Sequence, residues 1–339
     1  MFQKRKVVLT RPAPNRTQSS STAREPKPER LNTEQHQGLR PSLVNSTLCV
    51  SSSSRSLDQL LQHGGLPLGS ITLLEEHGAT DYASTVLKGF CTLGVRDQRA
   101  GSDSLVVCLG IPGWVRGIPA IGKTSVDTEK PEELQKIRIA WRYQLSQNTN
   151  RQPPRASTGL YTSDLNFKAN MTPAPKQSEV VHVSGATLAD ILAKYANLLA
   201  SQPANRIIRV VVPSLLHPAV YREESSLPEN LVPFILGLRS LSRKFGTATI
   251  ISLPLQLYPR ANPVISQIEA LCDAVIELEP FEDPNVQGFA HVHKIAELSE
   301  RGIDVYRRHE YSFRLGRSQF EIAPWGIPVD ESEIEKDLF

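Results

Sequence analysis

Gly64-Gly-Leu-Pro-Leu-Gly-Ser-Ile-Thr-Leu-Leu-Glu-Glu-His-Gly-Ala-Thr-Asp-Tyr-Ala83 is the stretch whose reading decides the fold. Its turn residues, Gly64 to Gly69, deliver the chain into Ser70 to Glu75, a short apolar run of the kind that forms a buried strand. Tyr82, Val86 and Phe90 then recur at i, i+4 and i+8 with Leu87 beside them, which predicts a helix from Tyr82 to Leu93. Leu105 to Leu109 predicts the next buried strand. Strand, turn, helix and strand in this order make the βαβ unit of a parallel sheet.

In a nucleotide-binding α/β protein the loop between that strand and helix has the form Gly-x-x-x-x-Gly-Lys-Ser/Thr. The glycines let backbone N–H groups wrap phosphate, the lysine adds charge and the hydroxyl holds magnesium. Laid over this chain, the pattern puts Glu76 at the first glycine, Asp81 at the second, Tyr82 at the lysine and Ala83 at the hydroxyl. All four defining positions differ. Glu76 and Asp81 would also repel a triphosphate, at about 1 to 4 kcal/mol per close contact. Lys88 stands six residues past Tyr82, and the hydroxyls of Thr80, Ser84 and Thr85 follow no lysine. An acid that orients magnesium should end a neighbouring strand. Here Arg209 to Val212 runs into Pro213-Ser214, and Ile250-Ile251 runs into Ser252-Leu-Pro254.

The alternation continues outward from this unit. Thr187 is placed to cap a helix with Leu188, Ile191, Leu192, Tyr195 and Leu199 on one face, leading to a strand at Ile207 to Val212. A second helical face, Leu231 to Phe245, ends at Gly246 as a C-cap glycine would, before a strand at Thr249 to Leu253. Ile265 to Leu271 predicts a short helix and Ala274 to Leu278 a further strand. Phe289 to Ile295, Tyr311 to Leu315 and Gln319 to Ile322 alternate like antiparallel strands, the last two joined around Gly316-Arg-Ser318. Near the start, Leu43 to Val50 has strand-like content, and Ser56 is placed as the N-cap of a helical turn at Ser56 to Leu61. Pro131 opens an amphipathic helix over Glu132 to Gln147, followed by a long polar loop at about 148–178. The expected fold class is α/β, a mostly parallel twisted sheet flanked by helices with an antiparallel C-terminal strand segment.

Of the 339 residues, 1–40 form a basic, Ser-, Pro- and Arg-rich arm with nine basic against three acidic residues. The arm has too little apolar surface to order itself. Residues 41–325 are read as one folded domain and 326–339 as an acidic tail. The net charge of +3 belongs to the arm, since the remainder carries 29 basic and 32 acidic residues. Nucleic-acid binding by the body would therefore need a local patch. Cys49, Cys91, Cys108 and Cys272 stand singly with no zinc-type spacing. No signal-peptide apolar region and no membrane-spanning run is present, so a cytoplasmic or nuclear protein is expected.

Ser56-Leu-Asp-Gln-Leu-Leu61 followed by Gly64 to Leu74 looks like the entry to the RecA-type ATPase core. Ile139-Ala-Trp-Arg-Tyr-Gln144, Val211-Val-Pro-Ser-Leu-Leu216 and Cys272-Asp-Ala-Val-Ile-Glu-Leu-Glu279 narrow this. With those runs, residues 40 to 325 resemble the Elongator complex protein four family. The resemblance implies a RecA-like subunit of a heterohexameric ring with Elongator proteins five and six, bound to the catalytic Elongator subcomplex. It also implies tRNA binding, support of wobble-uridine modification, and sensitivity of the ring to adenine nucleotide. No cofactor is expected of this chain alone, and any ATP would sit at ring interfaces. A divergent ATPase working at those interfaces and a pure assembly scaffold are the competing readings.

No catalytic residue and no metal site can be named from spacing. Arg138 and Arg142, one helical turn apart, and Arg314 and Arg317, in the terminal strands beside Arg307 and Arg308, are the candidates for RNA or subunit contact. The plainer reading of each is solvated surface charge. His291 and His293 share a strand face, but no carboxylate lies at companion spacing in the sequence, so they are read as structural. Glu277 and Glu279 likewise share a face and are read as a solvated strand end.

Overall fold

The computed structural model describes residue 36 and residues 38–42, 44–78, 80–122, 161–162, 164–281, 287–296 and 310–325. The chain enters through β1 (Leu39–Pro41), β2 (Leu48–Val50) and β3 (Leu66–Pro67), which make a small antiparallel sheet. Of the strand expected at Leu43 to Val50 only Leu48–Val50 forms, because the chain turns back at Val44 and Asn45, with Ser42 N–H donating to the Thr47 carbonyl at 2.7 Å, and pairs it with β1, which precedes the expected stretch. Between β2 and β3 lies α1 (Arg55–Leu60), whose N-cap is Ser54 rather than Ser56. Ser54 keeps extended backbone and its Oγ accepts from Leu57 N–H at 3.2 Å. Ser56 instead accepts at Oγ from Ile322 N–H at 2.8 Å, far along the chain.

The main sheet has nine strands. It combines β4 (Ile71–Glu76), β5 (Ser104–Leu109), β8 (Val180–Val183), β9 (Ile207–Val212), β10 (Ala248–Pro254), β11 (Ala274–Pro280), β12 (Gly288–Lys294), β13 (Tyr311–Leu315) and β14 (Phe320–Pro324). Their order across the sheet is β14-β13-β12-β11-β4-β10-β9-β5-β8. From β11 to β8 every pairing is parallel; from β11 to β14 every pairing is antiparallel. β4 lies in the interior of the sheet, between β11 and β10. β6 (Pro119–Ile121) and β7 (Leu165–Asn170) form a separate antiparallel pair. A strand therefore lies within the stretch 148–178 expected to be loop, where Leu165 and Phe167 alternate with polar residues. The helix expected at Glu132 to Gln147 lies outside the described residues.

Helices cover both faces because residues of successive parity on each parallel strand point to opposite sides. Leu74, Val106, Val211, Ile250 and Ile276 face α2 (Tyr82–Arg99), packing with Val86, Leu87 and Phe90. Leu73, Val107, Val210, Ile251 and Val275 face α3 (Leu188–Ala200), α4 (Pro228–Phe245) and α5 (Pro263–Leu271). Thr187 caps α3 by accepting from Asp190 N–H at 3.2 Å, and Gly246 ends α4 with φ 64°, a left-handed conformation in which a Cβ is strained.

α2 runs one and a half turns beyond the expected Leu93, to Arg99. Its last turns are polar in sequence yet buried: Arg96 is 6% and Asp97 2% exposed. Arg209, at 0% exposure in the middle of β9, reaches Asp97, to which Arg96 also donates. Its Nη2 donates to Asp97 Oδ2 at 3.0 Å and its Nη1 to the Ser51 carbonyl at 2.9 Å, while its guanidinium lies 4.9 Å from the Phe90 ring centre. A Cβ on Gly94 would stand 2.9 Å from Arg209 Cδ, so only glycine lets this side chain pass beneath α2. Breaking a buried pair by removing one partner costs about 3 kcal/mol or more. Arg209→Leu should therefore lower the unfolding free energy by about 3 kcal/mol in urea melts, and Asp97→Asn in the same background should recover part of the loss.

Candidate functional site

The C-terminal ends of β4, β9 and β10 open into a cleft of about 390 Å³, where ligands of open parallel sheets bind. Thr80, Asp81, Ser214, His217, Ser252 and Gln256 line it, and among the described residues no lysine or arginine does. Ser214 N–H donates to Ser252 Oγ at 2.7 Å, tying the β9 and β10 exits together with no carboxylate at either strand end. Ser214 and Leu216 both hold positive φ, 44° and 67°, so the loop leaving β9 bends sharply beside the cleft.

The loop from His77 to Asp81 turns β4 into α2 in the place where phosphate would be cradled. Asp81 is the N-cap of α2 but makes no side-chain capping bond. Glu76, at the end of β4, does that work. Its Oε1 accepts from Tyr82 N–H at 2.8 Å and Thr80 Oγ1 at 2.6 Å, and its Oε2 from Ala83 N–H at 2.9 Å. Burial pushes the Glu76 carboxyl up from its ordinary value, the three donors pull it back, and the Asp81 charge adds to the rise. Tyr82, at the position of the missing lysine, packs edge-on against Phe313 with ring centres 5.0 Å apart. The nearest lysine of α2, Lys88, lies 5.6 Å from the Trp114 ring centre.

One string in the chain does match the phosphate-loop form: Gly117-Ile-Pro-Ala-Ile-Gly-Lys-Thr124. Its fold is different. Gly117 closes a single 3-10 turn and Pro119–Ile121 is β6, paired antiparallel with β7 outside the main sheet. Lys123 and Thr124 lie outside the described residues. The described part of the string is not a turn from a buried parallel strand into a helix.

On the opposite face of β4, Glu75 begins a network that the sequence did not reveal. Glu75 is 0% exposed and neither carboxylate oxygen has a hydrogen-bond donor. Burial, then the charge of Glu269, push its carboxyl up to about 8. The oxygens of Glu269 accept from Arg260 Nε at 2.8 Å and Nη2 at 3.2 Å. Glu277 accepts from His77 Nε2 at 2.6 Å, His293 Nε2 at 2.5 Å and Arg260 Nη1 at 3.0 Å. Burial pushes Glu277 up, but these donors outweigh it and hold the group at about 2. His291 meets Glu279 at 3.0 Å. The histidines therefore do have companion carboxylates, supplied by the neighbouring strand through cross-strand register rather than by nearby sequence. Glu277 is a buried hub, not a solvated strand end. Among the described residues no group of three or more such side chains is placed to hold a metal ion.

Arg314 is exposed on β13 opposite Glu321, and Arg317 is exposed in the turn before β14, where its carbonyl accepts from Phe167 N–H at 3.2 Å. Neither lines the cleft. Arg138, Arg142, Arg307 and Arg308 lie outside the described residues. No described helix is long and apolar enough to cross a membrane.

The family model described as PAXNEB protein matches residues 32–337, which spans the whole described fold and its cleft. The chain belongs to the PAXNEB family. Relatives are named Elongator complex protein 4. That of Saccharomyces cerevisiae is 26% identical over 353 residues, covering 88% of this chain and 77% of the relative. That of Schizosaccharomyces pombe is 26% identical, with 88% and 90% covered, and that of Homo sapiens 25%, with 87% and 80% covered. Among solved structures, a KaiC-like protein of Pyrococcus horikoshii OT3 matches with TM-score 0.46 and 16% identity, covering 81% of this chain and 99% of the other.

In this PAXNEB protein, a Glu75 held protonated makes stability pH-dependent. Its folded pKa lies above the unfolded 4.5, so its contribution is full below 4.5 and is lost as pH rises through about 8. Glu277 acts in the other direction, contributing above 4.5 and losing that contribution as pH falls toward about 2. Glu75→Gln should match the wild type near pH 5 and be the more stable protein near pH 9, flattening the alkaline limb of a thermal-melt series. An unchanged alkaline limb would show that Glu75 is ionised in the fold.

Proposed function

We propose that this chain is a non-catalytic subunit of the Elongator complex, forming a heterohexameric ring with Elongator proteins five and six. The ring binds tRNA and supports modification of the wobble uridine by the catalytic subcomplex, in the cytoplasm and nucleus. The observation that carries the reading is the match to Elongator complex protein 4 along 87–88% of the chain, in three distant organisms. The cleft supports its non-catalytic part. Phosphoryl transfer depends on cations arranged around the phosphates and on a positioned acid or amide for the attacking group. Among the described residues the cleft offers two carboxylates, hydroxyls, one amide and the His217 imidazole, and no lysine or arginine.

Co-expression with Elongator proteins five and six, followed by native mass spectrometry, should give a six-subunit species with two copies of each chain. A chain that stays monomeric beside its partners would overturn the ring. Magnesium-dependent ATP turnover by the isolated chain, abolished by a change at Glu76 or Asp81, would overturn the non-catalytic assignment. Arg314→Glu with Arg317→Glu should weaken tRNA binding by the assembled ring and lower its salt slope by roughly two. Unchanged tRNA affinity and assembly would leave a scaffold alone.

A further inference from the structure

Phosphate cradles at helix N-termini work because the first backbone N–H groups of a helix have no partner within it, and an anion supplies one. In this chain the first two of those donors are already engaged. Tyr82 N–H, Ala83 N–H and Thr80 Oγ1 all point at a single carboxylate, that of Glu76, which is 7% exposed. The residue placed to cap conventionally, Asp81, leaves its side chain out of the helix. We propose that Glu76 is the resident anion of this loop: its carboxylate takes the position a bound phosphate would take, closing the cradle from within.

Two consequences follow from the geometry. A phosphate oxygen and the Glu76 carboxylate would need the same two amides, and two anions within hydrogen-bonding distance of each other repel, so inorganic phosphate and nucleotide are excluded by occupancy as well as by charge. The loop also needs no ligand to hold its shape. Glu76 is anchored at the end of an interior strand, paired through β4 with Leu278 of β11 and Pro254 of β10. The start of α2 is thereby fastened to the sheet in every state of the protein, where a nucleotide-dependent loop is fastened only when loaded. This contact acts within the chain and does not depend on the ring or on tRNA.

The test uses the full-length chain and inorganic pyrophosphate, with sodium chloride at matched ionic strength as control. Glu76→Ala removes the carboxylate and leaves the amides facing a vacant space. It should melt below the wild type and regain several degrees in pyrophosphate but not in chloride, while the wild type gains nothing from pyrophosphate over chloride. Glu76→Leu fills the space without charge and should melt low and stay low in both salts. Glu76→Gln keeps one acceptor but turns an amide nitrogen toward a donor, and should melt below the wild type even if the alanine variant proves insoluble. Equal pyrophosphate response in the wild type and Glu76→Ala, or a Glu76→Gln midpoint equal to the wild type, would overturn the proposal.

Discussion

The first turn of α2 carries backbone N–H groups with no partner inside the helix, and what satisfies them determines the character of the whole C-terminal edge of the sheet. A glycine-rich loop would leave these groups free for phosphate. This chain satisfies the first two of them, on Tyr82 and Ala83, with Glu76, from the strand that feeds the turn. With the amides engaged, the lysine and the magnesium-holding hydroxyl lose their purpose, and their positions are free to take Tyr82, which packs on Phe313, and Ala83, which is buried.

Buried charge holds the surrounding framework in register. Arg209 threads from β9 under Gly94 to Asp97 at the end of α2 and to the Ser51 carbonyl, fixing the N-terminal segment, the helix and the sheet to one another. Asp58 lies beside this junction, accepting from Ser51 Oγ at 2.5 Å and Ser52 N–H at 2.8 Å, with burial raising its carboxyl to about 6. On the far side of β4, Arg260 joins Glu269 to Glu277 and so links α5 to β11. Isolated buried ions are too costly to survive in a fold, so each has partners or, as with Glu75, is held neutral.

The hydrophobic periodicity made most of this architecture legible. Ile207 to Val212, Tyr311 to Leu315, the Thr187 cap and the Gly246 stop are where the pattern places them, because short-range rules govern them. The misses have a common physical cause. Asp97 obscured the end of α2, and Ser54 rather than Ser56 took the cap, because each outcome depends on a partner distant in sequence, Arg209 and the Phe320 carbonyl. The loop was legible as a site without lysine, hydroxyl or glycines. That Glu76 fills the cradle was not, since a carboxylate in a phosphate loop reads as repulsion until its donors are placed in space. The histidine–glutamate pairs were hidden for the same reason, as cross-strand register does not show in spacing.

The chain belongs to the PAXNEB family, and in its fold the amides of Tyr82 and Ala83 donate to the carboxylate of Glu76. The most direct test is a crystal structure of the chain grown with saturating magnesium and a non-hydrolysable ATP analogue. The account predicts the Glu76 carboxylate still on Tyr82 N–H and Ala83 N–H, with no phosphate against the first turn of α2. A β-phosphate bound to those two amides, with Glu76 swung away, would contradict it.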